Sequence, residues 1–509
     1  MFESAELGHH LGREAYEAEV SELREALLDA QHELKERAAG PVIILINGMD
    51  GAGRSETLAQ IDAWLDPRLV PVYAQTAMFA DPVDEATGRP WLWRYWNALP
   101  PRGQIGVYFG SWYSDVLFGR VYGQTTEQQA LQALAETLMF EKQLAAEGAS
   151  IVKFWLHLSK ADQKNRLKSL EKDPATRWRV SERDWQHVKD YDAIRAEAER
   201  MLRATSIAES PWVVVEGLNA RYREITVGRT LLNMLKAGLE HNAKPVVHDD
   251  TPPLLPPVDG VMLLDTLQLD QPRDKSEYKA RLAELQSRLA QLTREAAFAN
   301  HSLLIAFEGN DAAGKGGAIR RLAMALDARR YRIIPVAAPT EEERAKPWLW
   351  RFWRHVPKRG GISIFDRTWY GRVLVERVEG FCREVDWMRA YNEINDFERQ
   401  LHAAGAIVVK FWLTISKEEQ LARFKAREET GFKRFKITEE DWRNRDKWDD
   451  YKLAVCDMID RTSTHHSPWT LVEANNKYYA RIKVLETVCA AIEKRLAEGA
   501  KGSKKGKLA

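Results

Sequence analysis

The run Gly309-Asn-Asp-Ala-Ala-Gly314-Lys315-Gly316 has the make-up of a loop that wraps a phosphate. Its glycines let the backbone turn so that several N–H groups converge on one anion. A helix opening here adds about half a positive charge, and the Lys315 ammonium can reach the terminal phosphates. Gly316 stands where Ser or Thr ordinarily holds Mg2+, so a metal needs another ligand. Asp311, inside the loop, is one candidate. The second is Asp366 in Ile364-Phe-Asp-Arg367. It falls at the expected C-terminal end of a buried strand, where a metal-binding acid belongs in this architecture. Arg367 beside it can clamp phosphate oxygens. The plain alternatives are a glycine-rich turn without a ligand and, for Asp366, a helix cap or a structural ion pair.

Further along, Arg423-Phe-Lys-Ala-Arg427-Glu-Glu-Thr-Gly-Phe-Lys433-Arg434-Phe-Lys436 carries six basic and two acidic residues in a chain of net charge +1. Arg423 and Arg427 are four apart and share a helix face. Gly431 ends that helix, and Lys433, Arg434 and Lys436 follow it. The segment has the character of a lid that closes over transferring phosphates and offsets their charge. A solvated basic hairpin is the plain reading.

Most of this pattern occurs twice. Pro90-Trp-Leu-Trp-Arg-Tyr-Trp96 returns as Pro347-Trp-Leu-Trp-Arg-Phe-Trp353, and Val152-Lys-Phe-Trp-Leu returns as Val409-Lys-Phe-Trp-Leu at the same spacing. Seven tryptophan pairs from Trp91/Trp348 to Trp212/Trp469 keep that spacing, so the chain is two copies of one domain rather than a small-unit solenoid. The copies differ in chemistry. The first reads Gly48-Met-Asp50-Gly-Ala-Gly53-Arg54, with Phe109 and Gly110 in the places of Asp366 and Arg367. Phenylalanine offers no metal ligand, and the rigid fork of Arg54 reaches differently from an ammonium. The first copy is expected to be idle. Trp348, Trp350 and Trp353 recur in it, so they are read as core.

The elements that must position these residues follow from pattern. Pro41–Ile46 and Leu303–Phe307 read as buried parallel strands leading into the two loops; residues 12–39 and 275–300 read as helices. Strands Ile362–Phe365 and Ile407–Leu413 alternate with helices, which implies an α/β fold: a parallel sheet flanked by helices, in two tandem phosphate-loop kinase-like domains with a helical lid. The expected boundaries are 1–243 for the idle copy, 244–274 for a Pro-rich linker, 275–498 for the active copy and 499–509 for a basic tail. Near-neutral charge draws the chain to no nucleic acid, so a basic site must be local. The three cysteines form no paired motif, and no apolar run approaches a membrane span. Cytoplasm is the expected compartment, and a homo-oligomer is compatible with the sequence.

Taken together, Gly309–Gly317, Phe365-Asp-Arg-Thr-Trp-Tyr-Gly-Arg372, Ser467-Pro-Trp-Thr-Leu-Val-Glu473 and Asn476-Lys-Tyr-Tyr-Ala-Arg481 resemble the second polyphosphate kinase family. The tandem arrangement is similar to its fused two-domain subgroup. That resemblance implies transfer of the terminal phosphoryl group of inorganic polyphosphate to AMP, giving ADP, with Mg2+ or alternatively Mn2+, in the second domain. It implies catalytic roles for Asp311, Lys315, Asp366 and Arg367, with Asp366 and Asp311 serving the metal. It further implies phosphate binding by Gly309, Gly314, Lys315, Gly316, Arg372, Arg423, Arg427, Lys433 and Lys436. Two rival readings remain: an ATP-dependent nucleotide kinase of the same fold, and a non-catalytic polyphosphate-binding protein.

Overall fold

The protein is described here from a computed structural model, which describes residues 1–74, 86–241, 260–429 and 439–505. The chain forms two compact units. One gathers residues 1–83, 95–246 and 339–350; the other gathers residues 84–94, 247–338 and 351–509. Each unit therefore includes a short stretch whose sequence belongs to the other repeat.

The first unit holds strands β1 (Val42–Gly48), β2 (Val72–Ala74), β3 (Ile105–Phe109), β4 (Ser150–His157) and β5 (Trp212–Glu216), in the order β2-β3-β1-β4-β5. The second holds β6 (Ser302–Gly309), β7 (Tyr331–Pro335), β8 (Ile362–Asp366), β9 (Ala406–Thr414) and β10 (Trp469–Glu473), in the equivalent order β10-β9-β6-β8-β7. Every pairing is parallel. This is the α/β architecture expected from the alternation of elements.

In the second unit β6 is the middle strand, and its apolar run is covered on both faces, which is why it lacks the alternation of a half-exposed strand. One face packs on the helices Lys275–Leu292, Lys315–Ala323 and Lys477–Lys505 through Leu285, Leu289, Ile319, Leu485 and Val488. Aromatic rings cover the other. Phe397 meets Trp353 and Trp369 edge to face, with centroids 4.8 and 5.1 Å apart. Trp353 is likewise buried, and Trp348 and Trp350, which fall in the stretch assigned to the first unit, are buried too.

Beneath β9 lies a polar network that fixes the turn after β8. Lys410 Nζ donates to Glu398 Oε2 (2.8 Å), Tyr370 OH (2.8 Å) and the Thr462 carbonyl (2.7 Å). Glu398 Oε1 accepts from Trp369 Nε1 (3.0 Å) and from Tyr370 OH (2.7 Å). Both charged side chains are fully buried, and all three ammonium protons have acceptors. The first unit repeats the network with Lys153, Glu141, Trp112 and Tyr113. Since Asp366 and Arg367 precede Trp369 and Tyr370 with only Thr368 between, the network anchors the segment that carries the candidate metal acid.

Candidate active site

β6 delivers the loop. Gly309 has φ +146°, and a Cβ there would lie 2.3 Å from the Leu413 carbonyl oxygen, so only glycine fits against β9. Gly314, at φ +107°, caps the helix Lys315–Ala323 without any side-chain hydrogen bond; the Gly317 N–H turns back to the Gly314 carbonyl (2.9 Å), which leaves those of Lys315 and Gly316 open to an anion. Lys315 Nζ folds back to the carbonyls of Gly309 (2.6 Å) and Asn310 (3.3 Å). Among the described residues no carboxylate holds it.

β8 delivers the acid. Asp366 is its last residue and pairs in register with Phe307, which sets it beside the start of the loop. Its half-buried carboxylate has no hydrogen-bonded or ionic partner among the described residues. A metal ligand needs such an uncommitted carboxylate, and Mg2+ is commonly bound by one or two carboxylates with substrate phosphates supplying the rest. Asp311 is committed instead: Arg367 Nη2 approaches Oδ1 at 3.4 Å and Asn444 Nδ2 donates to Oδ2 at 2.8 Å.

Arg367 has φ +65°, a left-handed conformation that costs a non-glycine residue about 1–2 kcal/mol. Its counterpart Gly110 has φ +75° at no such cost. The strain keeps a guanidinium in the cavity, where Arg367 also donates to Glu440 at 3.2 Å. Burial alone would lower its pKa, but Asp311, Glu440 and Glu308 outweigh burial and raise it. Arg367→Gly is therefore expected to leave the melting temperature unchanged or higher while activity falls at least about tenfold. Thermal denaturation beside a transfer assay reads both.

The cavity is lined by Glu308, Asp311, Lys315, Arg367, Asn444 and Tyr451, with Trp412 and Trp448 adding aromatic surface. Sequence reading missed Glu308, Asn444 and Tyr451. Glu308 accepts from Thr368 Oγ1 at 2.7 Å, and burial pushes its carboxyl pKa up. Asn444 lies on the helix Glu439–Asp446 and also accepts from Tyr451 OH at 3.1 Å.

The basic residues divide. Arg427 stands half-buried on the helix Lys417–Glu428; burial lowers its pKa, opposed by Asp441 and Asp311. Arg423 is spent: it donates to Glu419 and to the carbonyls of Ala312, Ala474 and Asn475, at 2.6 to 2.9 Å. It buttresses the loop from behind instead of facing phosphate. Arg372 is paired with Glu376 at 2.7 Å and does not line the cavity. Gly316 lies in the first turn of the loop helix. Lys433, Arg434 and Lys436 lie outside the described residues.

In the first unit the same framework is filled by its own side chains. Asp50 is bound by both Arg54 and His187, the residue standing where the second copy has Asn444. Burial would raise the Asp50 pKa, but Arg54 and His187 pull it below the ordinary carboxylate value. The Arg54 guanidinium lies over the Phe109 ring, 5.9 Å from its centroid. Glu56 pairs with Arg166 (3.5 Å) and Arg179 (3.3 Å), two basic residues of the segment equivalent to the lid. Arg54 is thus engaged by Asp50, while Arg166 and Arg179 share one carboxylate.

The family model for polyphosphate kinase 2 matches residues 10–243 and 272–500. The chain is 56% identical to the polyphosphate:AMP phosphotransferase of Pseudomonas aeruginosa, across 97% of this chain and 99% of that one. It is 52% identical to the protein of the same name from Pseudomonas syringae pv. tomato, across 98% and 100%. A crystal structure from Pseudomonas aeruginosa, assigned to polyphosphate kinase 2, superposes with a TM-score of 0.87 at 54% identity, covering 97% of this chain and 99% of that one. The chain, in both its halves, belongs to the polyphosphate kinase 2 family.

Proposed function

We propose that the protein transfers the terminal phosphoryl group of inorganic polyphosphate to AMP, giving ADP, in the cavity of the second unit. The observation that carries this reading is that Lys315, at the start of the loop helix, and Asp366, at the end of β8, both lack an ionic partner among the described residues. Relatives matched over nearly their whole length are named for the polyphosphate:AMP reaction.

The open N–H groups at Gly314 and the Lys315 ammonium hold the phosphoryl group in transfer. Arg367 gathers charge on the same group, held in place by Asp311 and Glu440. Asp311, itself oriented by Asn444, sits beside the incoming AMP phosphate and orders Arg367 against it. An AMP phosphate oxygen is already ionised near neutral pH, so the reaction needs positioning and charge stabilisation more than a strong base. Trp448 and Tyr451 offer aromatic surface to the nucleotide. A divalent cation, Mg2+ or Mn2+, held by Asp366 and phosphate oxygens, would neutralise the developing charge. Arg427 steadies the phosphate chain from the lid side. The reaction belongs in the cytoplasm, where AMP is available, and no helix among the described residues is long and apolar enough to cross a membrane.

Purified full-length protein given polyphosphate, AMP and Mg2+ without ATP is expected to form ADP. Asp50→Ala with Arg54→Ala should retain most of that rate. Transfer supported by ATP alone would replace this reading with that of an ATP-dependent nucleotide kinase.

A further inference from the structure

The second unit holds another cavity, of ≈ 260 Å³ against ≈ 90 Å³ for the catalytic one. It opens beside the first residues of β9 and β10, whereas the catalytic cavity reaches Trp412 near the other end of β9. Val409 lines the one and Trp412 the other, so three strand steps at about 3.3 Å each set these nearest residues of β9 on the order of 10 Å apart.

Its polar wall is rich in basic residues. His402, His465, His466, Lys494 and Arg495 face it, with Glu498 as the one carboxylate among the lining residues, 3.7 Å from Arg495. The imidazoles cluster: His466 lies 5.4 Å from His402 and 4.8 Å from His465, ring centroid to centroid. Two donors in this wall are buried and without a hydrogen-bond partner among the described residues, Nε2 of His466 and Nε of Arg495. Both atoms are shut off from solvent, so a ligand accepts from them once the two side chains turn toward the cavity. Burial lowers the pKa of His402 and His466, and neighbouring cations push the same way. An anion between them offsets both effects and favours the charged imidazole.

The first copy shows that the fold does not require this cluster. Its equivalent positions are Ala145, Ala208, Glu209, Ala237 and Gly238. The sheet, the helices and even the buried Lys153–Glu141 pair are kept there, yet all five cationic or imidazole side chains are gone. A structural cluster would have recurred, as the tryptophans did.

We propose that this cavity is a second anion site, specific to the second copy, that binds a phosphate-bearing ligand through His466, Lys494 and Arg495. Two sources share that chemistry: inorganic pyrophosphate or short polyphosphate, and the phosphate of a nucleotide. The reading does not depend on the reaction assigned to the catalytic cavity.

Isothermal titration of the full chain with pyrophosphate, without divalent metal, tests it. In Lys315→Ala, where the catalytic loop is weakened, one binding event is expected to remain. Adding Lys494→Ala with His466→Ala should weaken that event about tenfold or more. Lys494→Glu, a change at an exposed position, should do the same without disturbing packing. Turnover with saturating AMP should stay within about twofold of the parent for Lys494→Ala alone. AMP that competes with pyrophosphate for the variant-sensitive event identifies the nucleotide as the source; AMP that does not compete identifies inorganic phosphate chains. No event in Lys315→Ala, or an event indifferent to both the Lys494→Glu and the His466→Ala/Lys494→Ala changes, overturns the proposal.

Discussion

Lys315→Ala is expected to lower kcat/KM for transfer from polyphosphate to AMP by about 10²–10³, and Asp366→Ala by at least as much. The double variant should form no detectable ADP. The size follows from what each group is free to do. Lys315 spends its protons only on carbonyls of its own loop, and Asp366 has no partner among the described residues, so each is held ready for substrate or metal. For the same reason neither substitution should unfold the protein, since neither removes an ion pair. Steady-state kinetics beside a thermal melt separates the two effects: the rate collapses while the melting temperature moves little. Retained turnover in the double variant would place the chemistry elsewhere.

The other large effect is on stability. Glu398→Ala leaves the Lys410 ammonium buried with no counter-charge and deprives Trp369 Nε1 and Tyr370 OH of their acceptor. Burial already lowers the Lys410 pKa with Glu398 present. Breaking one side of a buried pair costs roughly 3–5 kcal/mol. Chemical denaturation should show that loss. Replacing both partners, by Glu398→Leu with Lys410→Met, should recover a substantial part of it, because no charge is then stranded. A Glu398→Ala protein as stable as its parent would mean that water reaches the ammonium. Because only Thr368 separates Trp369 and Tyr370 from Asp366 and Arg367, activity should fall along with stability.

The legible part of the site was the part written in short, local strings. Phosphate loop, strand and helix are contiguous, so one pass along the sequence finds Gly309, Gly314 and Lys315. Asp366 was legible because a buried parallel strand ends where its apolar run ends, and the register of β8 on β6 then fixes the neighbour. The internal repeat added a contrast: Phe109 against Asp366, and Arg54 against Lys315.

The rest depended on contacts between distant residues. Asn444 reaches Asp311 from a helix more than a hundred residues on, and it is a neutral side chain in a run of charges, so nothing local marks it. Glu308 reads as the polar tail of a strand until Thr368 and the burial around it are seen. Arg423 was misread for the opposite reason. It lies in a basic string, but a guanidinium has five donors, and here they go to one carboxylate and three backbone carbonyls behind the loop. Charge alone could not say which face of the helix Lys417–Glu428 met solvent. Nor could the sequence show that Asp50 in the first copy is engaged by both Arg54 and His187, a pairing that forms only once folded.

The account rests on phosphoryl transfer being confined to the second copy. Crystals of the full chain soaked with Mn2+, AMP and polyphosphate, measured for anomalous scattering, test this directly. The account predicts a manganese peak beside Asp366 with nucleotide in the cavity bounded by Lys315, Arg367 and Tyr451, and no peak near Phe109. Manganese and nucleotide seated beside Asp50 and Arg54, with no metal at Asp366, would contradict it.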